Sequence, residues 1–279
     1  MPAIEKLIQY PEAYEACQFA LAENVPEVPS TDELSDLWKT RYHNSDSVYP
    51  VPNIYGLMTK PEYEDPWLLL SVDLCEVTRK TAESVAKLGG FTLEHMGAEY
   101  FYGTPFGLPK EDNDLVVLMT QAQMVRESVG PVEGIDEIAS ILKEIKSLGG
   151  YVLANTSTLP GCEQATVDWM SRFLPDCFDG IVIPRNHFGE GSITKGDAVL
   201  SVVNNLKDRF RVAISHVIHI DDASHHILSV RERCEHNLIV DDFTPRYSWN
   251  SGHEALNIKP SPLECFRASR DLVINYGKD

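Results

Sequence analysis

Residues 134–157 read GIDEIASILKEIKSLGGYVLANTS, and this stretch decides the fold. Its apolar residues recur at spacings of three and four through Leu148, the mark of an amphipathic helix. Gly149-Gly150 stops that helix, because glycine takes the left-handed backbone that closes a last turn. Strand Tyr151–Ala154 follows at once. A helix feeding straight into a short apolar strand is half of a crossover unit, and the flanking sequence continues the alternation. Strand 67–73 (WLLLSVD) lies upstream. Downstream, helix 161–174 leads to strand Gly180–Ile183, helix 194–206 to strand 212–220, and helix 224–234 to strand Asn237–Val240. The series predicts an α/β protein with a doubly wound parallel sheet, Rossmann-like, and helices on both faces.

The remainder divides around that core. Residues 1–66 predict an N-terminal helical extension. Helical spacing over 3–22 is interrupted at Pro11, and the capping box Ser30-Thr-Asp-Glu33 opens a short helix through about Tyr42. Residues 43–66, with several prolines and aromatics, read as an extended connector. The core takes 67–78 and 131–279 and ends in a helix over about 261–273. The interval 79–130 includes a helical stretch at 115–129 and carries Phe91, His95, Tyr100, Phe101, Tyr102 and Phe106, which read as the packing of a small helical unit.

The chain has 279 residues, 43% hydrophobic, with a net charge of −18. That charge disfavours nucleic acid and anionic membrane as partners. It leaves a phosphorylated small molecule open as substrate, because a divalent cation inverts the local field. No apolar run approaches the roughly 20 residues that cross a bilayer. The N-terminus lacks the apolar stretch of a signal peptide. None of the six cysteines forms a C-x-x-C pair. A cytoplasmic protein with reduced thiols is the expectation, and self-association is left open.

In a doubly wound sheet the site lies beyond the carboxyl ends of the strands. Three strand ends carry Asp73, the cluster Asn155-Thr156-Ser157, and Asp221-Asp222, and Lys195 opens a helix. Converging carboxylates suit a hard cation such as Mg²⁺. A lysine, a hydroxyl and an amide can hold phosphoryl oxygens, and a carboxylate can form an aspartyl-phosphate. His216, His219, His225 and His226 read as hydrogen-bonded or solvated, since strand parity sets His216 opposite to His219 and breaks up a metal cluster. Cys75 reads as a small loop residue.

This ordering resembles the haloacid dehalogenase (HAD) superfamily over about residues 67–245. PVEGIDEI followed by ILKEIKSLGGYVLANTS looks like the helix and second motif, and CFDGIVIP (177–184) like the segment after it. ITKGDAVL places Lys195 at the third motif, and VIHIDDASHHI places Asp221-Asp222 at the fourth. The resemblance implies a HAD core with a cap over 79–130, and a first motif of Asp-x-Asp-x-Thr/Val. It also implies catalytic roles for Asp73 and Lys195, phosphate binding by Ser71, Asn155, Thr156 and Lys195, and metal binding by Asp73, Asp221 and Asp222. Two registers fit. With Asp73 as nucleophile, Val77 matches the family and Cys75 replaces the second acid; with Ser71 in that place, Asp73 is the acid. In the second motif Ala154 precedes Asn155, so the hydroxyl is missing unless Thr156 or Ser157 substitutes. The implied activity is Mg²⁺-dependent hydrolysis of a small phosphorylated metabolite through an aspartyl-phosphate. The eroded motifs admit two alternatives: a catalytically reduced protein with a binding or regulatory role, or a HAD-type enzyme cleaving C–halogen or C–P bonds, for which Lys80 or Lys87 could form an imine.

Overall fold

The computed structural model describes residues 48–51, 54–61, 66–84, 129–157, 163–184, 193–234, 237–247 and 257–276. The expectations for residues 3–42, the six cap residues Phe91 to Phe106, the helix at 115–129 and Lys87 lie outside them. The strands are β1 (Val48–Val51), β2 (Ile54–Met58), β3 (Leu68–Val72), β4 (Gly150–Asn155), β5 (Gly180–Pro184), β6 (His216–Ile220), β7 (Ile239–Pro245) and β8 (Ile258–Lys259). The helices are α1 (Ile135–Ser147), α2 (Glu163–Phe173), α3 (Lys195–Phe210), α4 (Ser224–Cys234) and α5 (Pro262–Tyr276).

They build one sheet of order β1-β2-β5-β4-β3-β6-β7-β8. From β5 to β8 every pairing is parallel. Numbered within that block, the order is 3-2-1-4-5-6, the doubly wound Rossmann arrangement. The reason is legible in β3, LLLSV, which is buried throughout and so must be covered on both faces. Leu68, Leu70 and Val72 pack with Ile138, Ile141, Leu142 and Ile145 of α1 and with Met170 of α2 and Phe266 of α5. Leu69 packs on the other side with Val199 and Val202 of α3 and Val230 of α4. Gly149, at φ +90°, makes the turn from α1 into β4.

Three boundaries differ from expectation, each for a physical reason. The stretch 43–66 is extended as read, but it also pairs: β1 and β2 form a hairpin whose second strand lies antiparallel on β5. β7 runs to Pro245 rather than Val240, because its acids are neutralised in place. Asp241 meets His216 Nε2 at 2.8 Å, and Asp242 accepts a two-pronged ion pair from Arg231 of α4. β6 begins at His216 rather than 212, where its register with Leu68 begins. Among the described residues no helix is long and apolar enough to cross a membrane.

One glycine fixes how α3 and α4 meet. A Cβ on Gly196 would lie 2.0 Å from the carbonyl oxygen of Ser229, and the Gly196 N–H donates to Ser229 Oγ at 3.1 Å. Gly196→Ala is therefore expected to cost about 3 kcal/mol, the upper end of overpacking penalties, read from urea unfolding. A change below about 0.5 kcal/mol would show that the helices separate freely.

Candidate functional site

The strand order reverses between the parallel neighbours β3 and β6, and there the carboxyl-end crevice opens. The two tips are tied: the N–H of Asp73 donates to the carbonyl of Ile220 at 2.9 Å. Asp73 thus leaves β3 beside Asp221 leaving β6. One carboxylate oxygen from each of Asp73, Asp221 and Asp222 lies within 4.8 Å of the others, and all three residues are buried.

Lys195 enters from α3. Thr194 caps that helix through a reciprocal box with Asp197, which sets the first helical residue against the sheet. Lys195 Nζ donates to Asp73 Oδ1 at 2.5 Å and to Asp221 Oδ2 at 2.6 Å. Asn155, at the end of β4, ties the same corner: its Nδ2 donates to the Lys195 carbonyl and to Ser71 Oγ, both at 3.3 Å.

Asp221 lies among several polar groups. Oδ1 accepts from the Ala223 N–H at 2.9 Å and lies 3.1 Å from His226 Nδ1. Oδ2 accepts from Lys195 and lies 3.3 Å from His219 Nε2. Burial opposes its charge, but Lys195 and His226 outweigh burial and hold its carboxyl well below the usual range. Burial likewise opposes the Lys195 charge, and Asp221 and Asp73 overcome it, raising the ammonium above its ordinary value. At Asp222 Lys195 also pulls downward but is outweighed. Burial first, then Asp221, Asp73 and Glu76, push it well above the usual range. Asp73 is also raised, by burial and by Asp221, against the pull of Lys195. Glu76 is pushed up to about 7, chiefly by burial, although its Oε1 accepts the Ala82 N–H at 2.6 Å.

Among the described residues three acids gather around Lys195. A divalent ion fits: the donor set is all oxygen and hard, and an ion would favour the ionised forms that burial disfavours. Asp73, Asp221 and Asp222 are the residues that can hold it. The raised carboxyls give a signed expectation. An acid whose folded pKa exceeds its unfolded value costs stability as pH rises through that window, which for Glu76 runs from 4.5 to about 7. Without a divalent cation the protein should lose stability across that window, and Mg²⁺ should raise Tm more at pH 7.5 than at pH 5. Thermal unfolding with Mg²⁺ and with chelator at both pH values checks this; an equal Mg²⁺ effect would refute it.

Of the residues singled out from sequence, the structure brings Asp73, Lys195, Asp221 and Asp222 into one cluster. Of Ser71 and Asp73, it is Asp73 that reaches the cluster. Ser71 sits inside β3, and its hydroxyl meets Asn155 Nδ2 and His219 Nδ1, the latter at 3.1 Å. Thr156 is buried at the β4 tip, where Arg79 Nη2 lies 3.5 Å from its Oγ1. His216 and His219 occupy opposite faces as parity requires, and His219 and His226 instead flank Asp221. Lys80 stands half-exposed in a pair with Glu83. Sequence reasoning missed the two histidines as partners of Asp221 and missed Arg79 altogether. The parity of His219 with Asp221 was the available signal for the first; nothing in the sequence marks Arg79.

No family model matches the chain, and no curated protein matches it in sequence. Among solved structures, it is similar to the crystal structure of "putative beta-phosphoglucomutase from Thermotoga maritima". That likeness covers 73% of this chain and 99% of that one, at 15% identity and a TM-score of 0.47.

Proposed function

We propose that the protein is a divalent-metal-dependent phosphohydrolase of HAD type, in which Asp73 is the nucleophile. The observation that supports this most is the joining of Asp73 and Asp221 through a single buried lysine, next to a third carboxylate, at the switch point of the sheet. A Mg²⁺ ion held by Asp73, Asp221 and Asp222 would offset charge on the phosphoryl oxygens. Lys195 holds Asp73 in place and gives the buried pair its compensating charge. Asp221, held by Lys195, the Ala223 N–H and His226, stays anionic and keeps Lys195 protonated. In the first step an Asp73 oxygen bonds to phosphorus as the bond to the leaving oxygen breaks. In the second, water attacks phosphorus, the aspartyl bond breaks, and inorganic phosphate and the Asp73 carboxylate are released.

Cys75 bears on the substrate class. The resemblance puts a proton-donating acid at that place, and a thiol is a poor replacement. Weakly basic leaving oxygens, as in acyl or aryl phosphates, depart without a proton donor. They should be hydrolysed faster than alkyl or sugar phosphates. Phosphate release from acetyl phosphate and p-nitrophenyl phosphate, set against glycerol phosphate and hexose phosphates with Mg²⁺, tests the reading. No release from any of them would sink it.

A further inference from the structure

Arg79 has no exposed surface, yet its guanidinium has no carboxylate partner among the described residues. Nη2 lies 3.3 Å from Cys75 Sγ and 3.5 Å from Thr156 Oγ1. Nε and Nη1 are buried and have no hydrogen-bond partner among the described residues. Arg79 Cζ lies over the Trp169 ring, 5.9 Å from the centroid. Removing a guanidinium from water costs several kcal/mol unless an anion answers it. Buried donors left open in this way call for a ligand.

The backbone explains how Arg79 comes to be there. Past Asp73, Leu74 O accepts from both Thr78 N and Arg79 N at 2.9 Å, folding the loop back on itself. The chain then leaves through Thr78–Lys80 and returns through Gly130–Val132, and the two passages pair: Val132 N donates to Thr78 O, and Lys80 N to Gly130 O. Arg79 sits at that crossing. Its contacts set the guanidinium between Cys75, two residues past Asp73, and Thr156, just past the end of β4, the strand next to β3. That is the carboxyl edge from which Asp73 projects.

We infer that Arg79, together with Thr156, binds anionic oxygens of the phosphoryl group presented to Asp73, and so supplies the phosphate contact that the altered second motif lacks. The inference rests on the phosphohydrolase reading for the identity of the anion. Lys195 already spends two of its three N–H donors on Asp73 and Asp221. Arg79 brings spare, planar N–H donors of the kind that match phosphate. That Nε and Nη1 have no partner among the described residues is what leaves them available.

The probe is inorganic phosphate, titrated calorimetrically into the full chain with Mg²⁺ present. Wild type should bind it. Arg79→Met should bind at least tenfold more weakly while still binding Mg²⁺, and Arg79→Lys should fall between them. Ligand-free Tm separates this from a structural role. An arginine that braces the loop would lower Tm when replaced, whereas one kept for a ligand leaves Tm equal or higher in Arg79→Met, because methionine fills the space without a buried charge. If Arg79→Met does not fold, Arg79→Lys decides, with a loss of at least threefold expected. No phosphate binding by wild type, or equal binding by wild type and the variants, overturns the inference. Arg79-dependent phosphate binding without turnover of any phosphorylated compound would instead overturn the hydrolase reading and leave this one standing.

Discussion

Lys195→Met should unfold about 3–5 kcal/mol more readily than wild type in the absence of divalent cation. The side chain is almost wholly buried and makes two short charge-assisted bonds, to Asp73 and Asp221. Methionine fills much of the same volume, so the loss is electrostatic: two buried carboxylates are left facing each other, with Asp222 beside them. Such groups answer by taking up protons, so the deficit should shrink as pH falls. Mg²⁺ should restore part of the stability by supplying the missing positive charge. Urea unfolding at pH 7.5, with and without Mg²⁺, measures both. A loss below about 1 kcal/mol would mean that the pair of acids is already neutral, and the site as described would be wrong.

Asp73→Asn should lower phosphate release by about 10⁴-fold or more, the scale seen when a covalent nucleophile is removed. Asparagine keeps the size of the side chain and one oxygen for Lys195, so the fold should survive. Far-ultraviolet circular dichroism and Tm confirm that point in the same preparation. Wild type and variant showing the same trace activity would refute the nucleophile assignment. Mg²⁺-dependent binding of beryllofluoride that needs Asp73, without turnover, would favour a binding role over a catalytic one.

The parts of this fold legible in the sequence are those where burial and period coincide. The helix at 135–147 and the strand after it can be read because apolar residues mark one face and glycines mark the turn. Asp221 and Asp222 can be read because acids directly after an apolar run sit at a strand end in any doubly wound sheet. The register at Asp73 could not be settled from sequence. β3 is buried on both faces, so its residues carry no alternation to say which of Ser71 and Asp73 lies at the tip. β7 was shortened in the reading because Asp241 and Asp242 look like loop residues until His216 and Arg231 are seen opposite them. The β1–β2 hairpin was missed as pairing because its partner, β5, lies far along the chain. Arg79 was invisible for a related reason: arginine reads as surface, and only three-dimensional packing shows it enclosed without a carboxylate partner among the described residues.

The central position of β3 has a consequence for how the protein assembles. β3 pairs with β4 and β6, and the contacts of Ser71 with Asn155 and His219 span 84 and 148 residues. Closing loops of that length comes late in folding, after local helices and the later crossover units have formed. On that ground the three acids should meet only when the last and longest closures are complete. A cation bound there should leave the refolding rate nearly unchanged and slow unfolding instead, because its contacts are absent at the barrier. Metal would then act on this chain as a latch, extending the lifetime of the finished sheet without helping to build it.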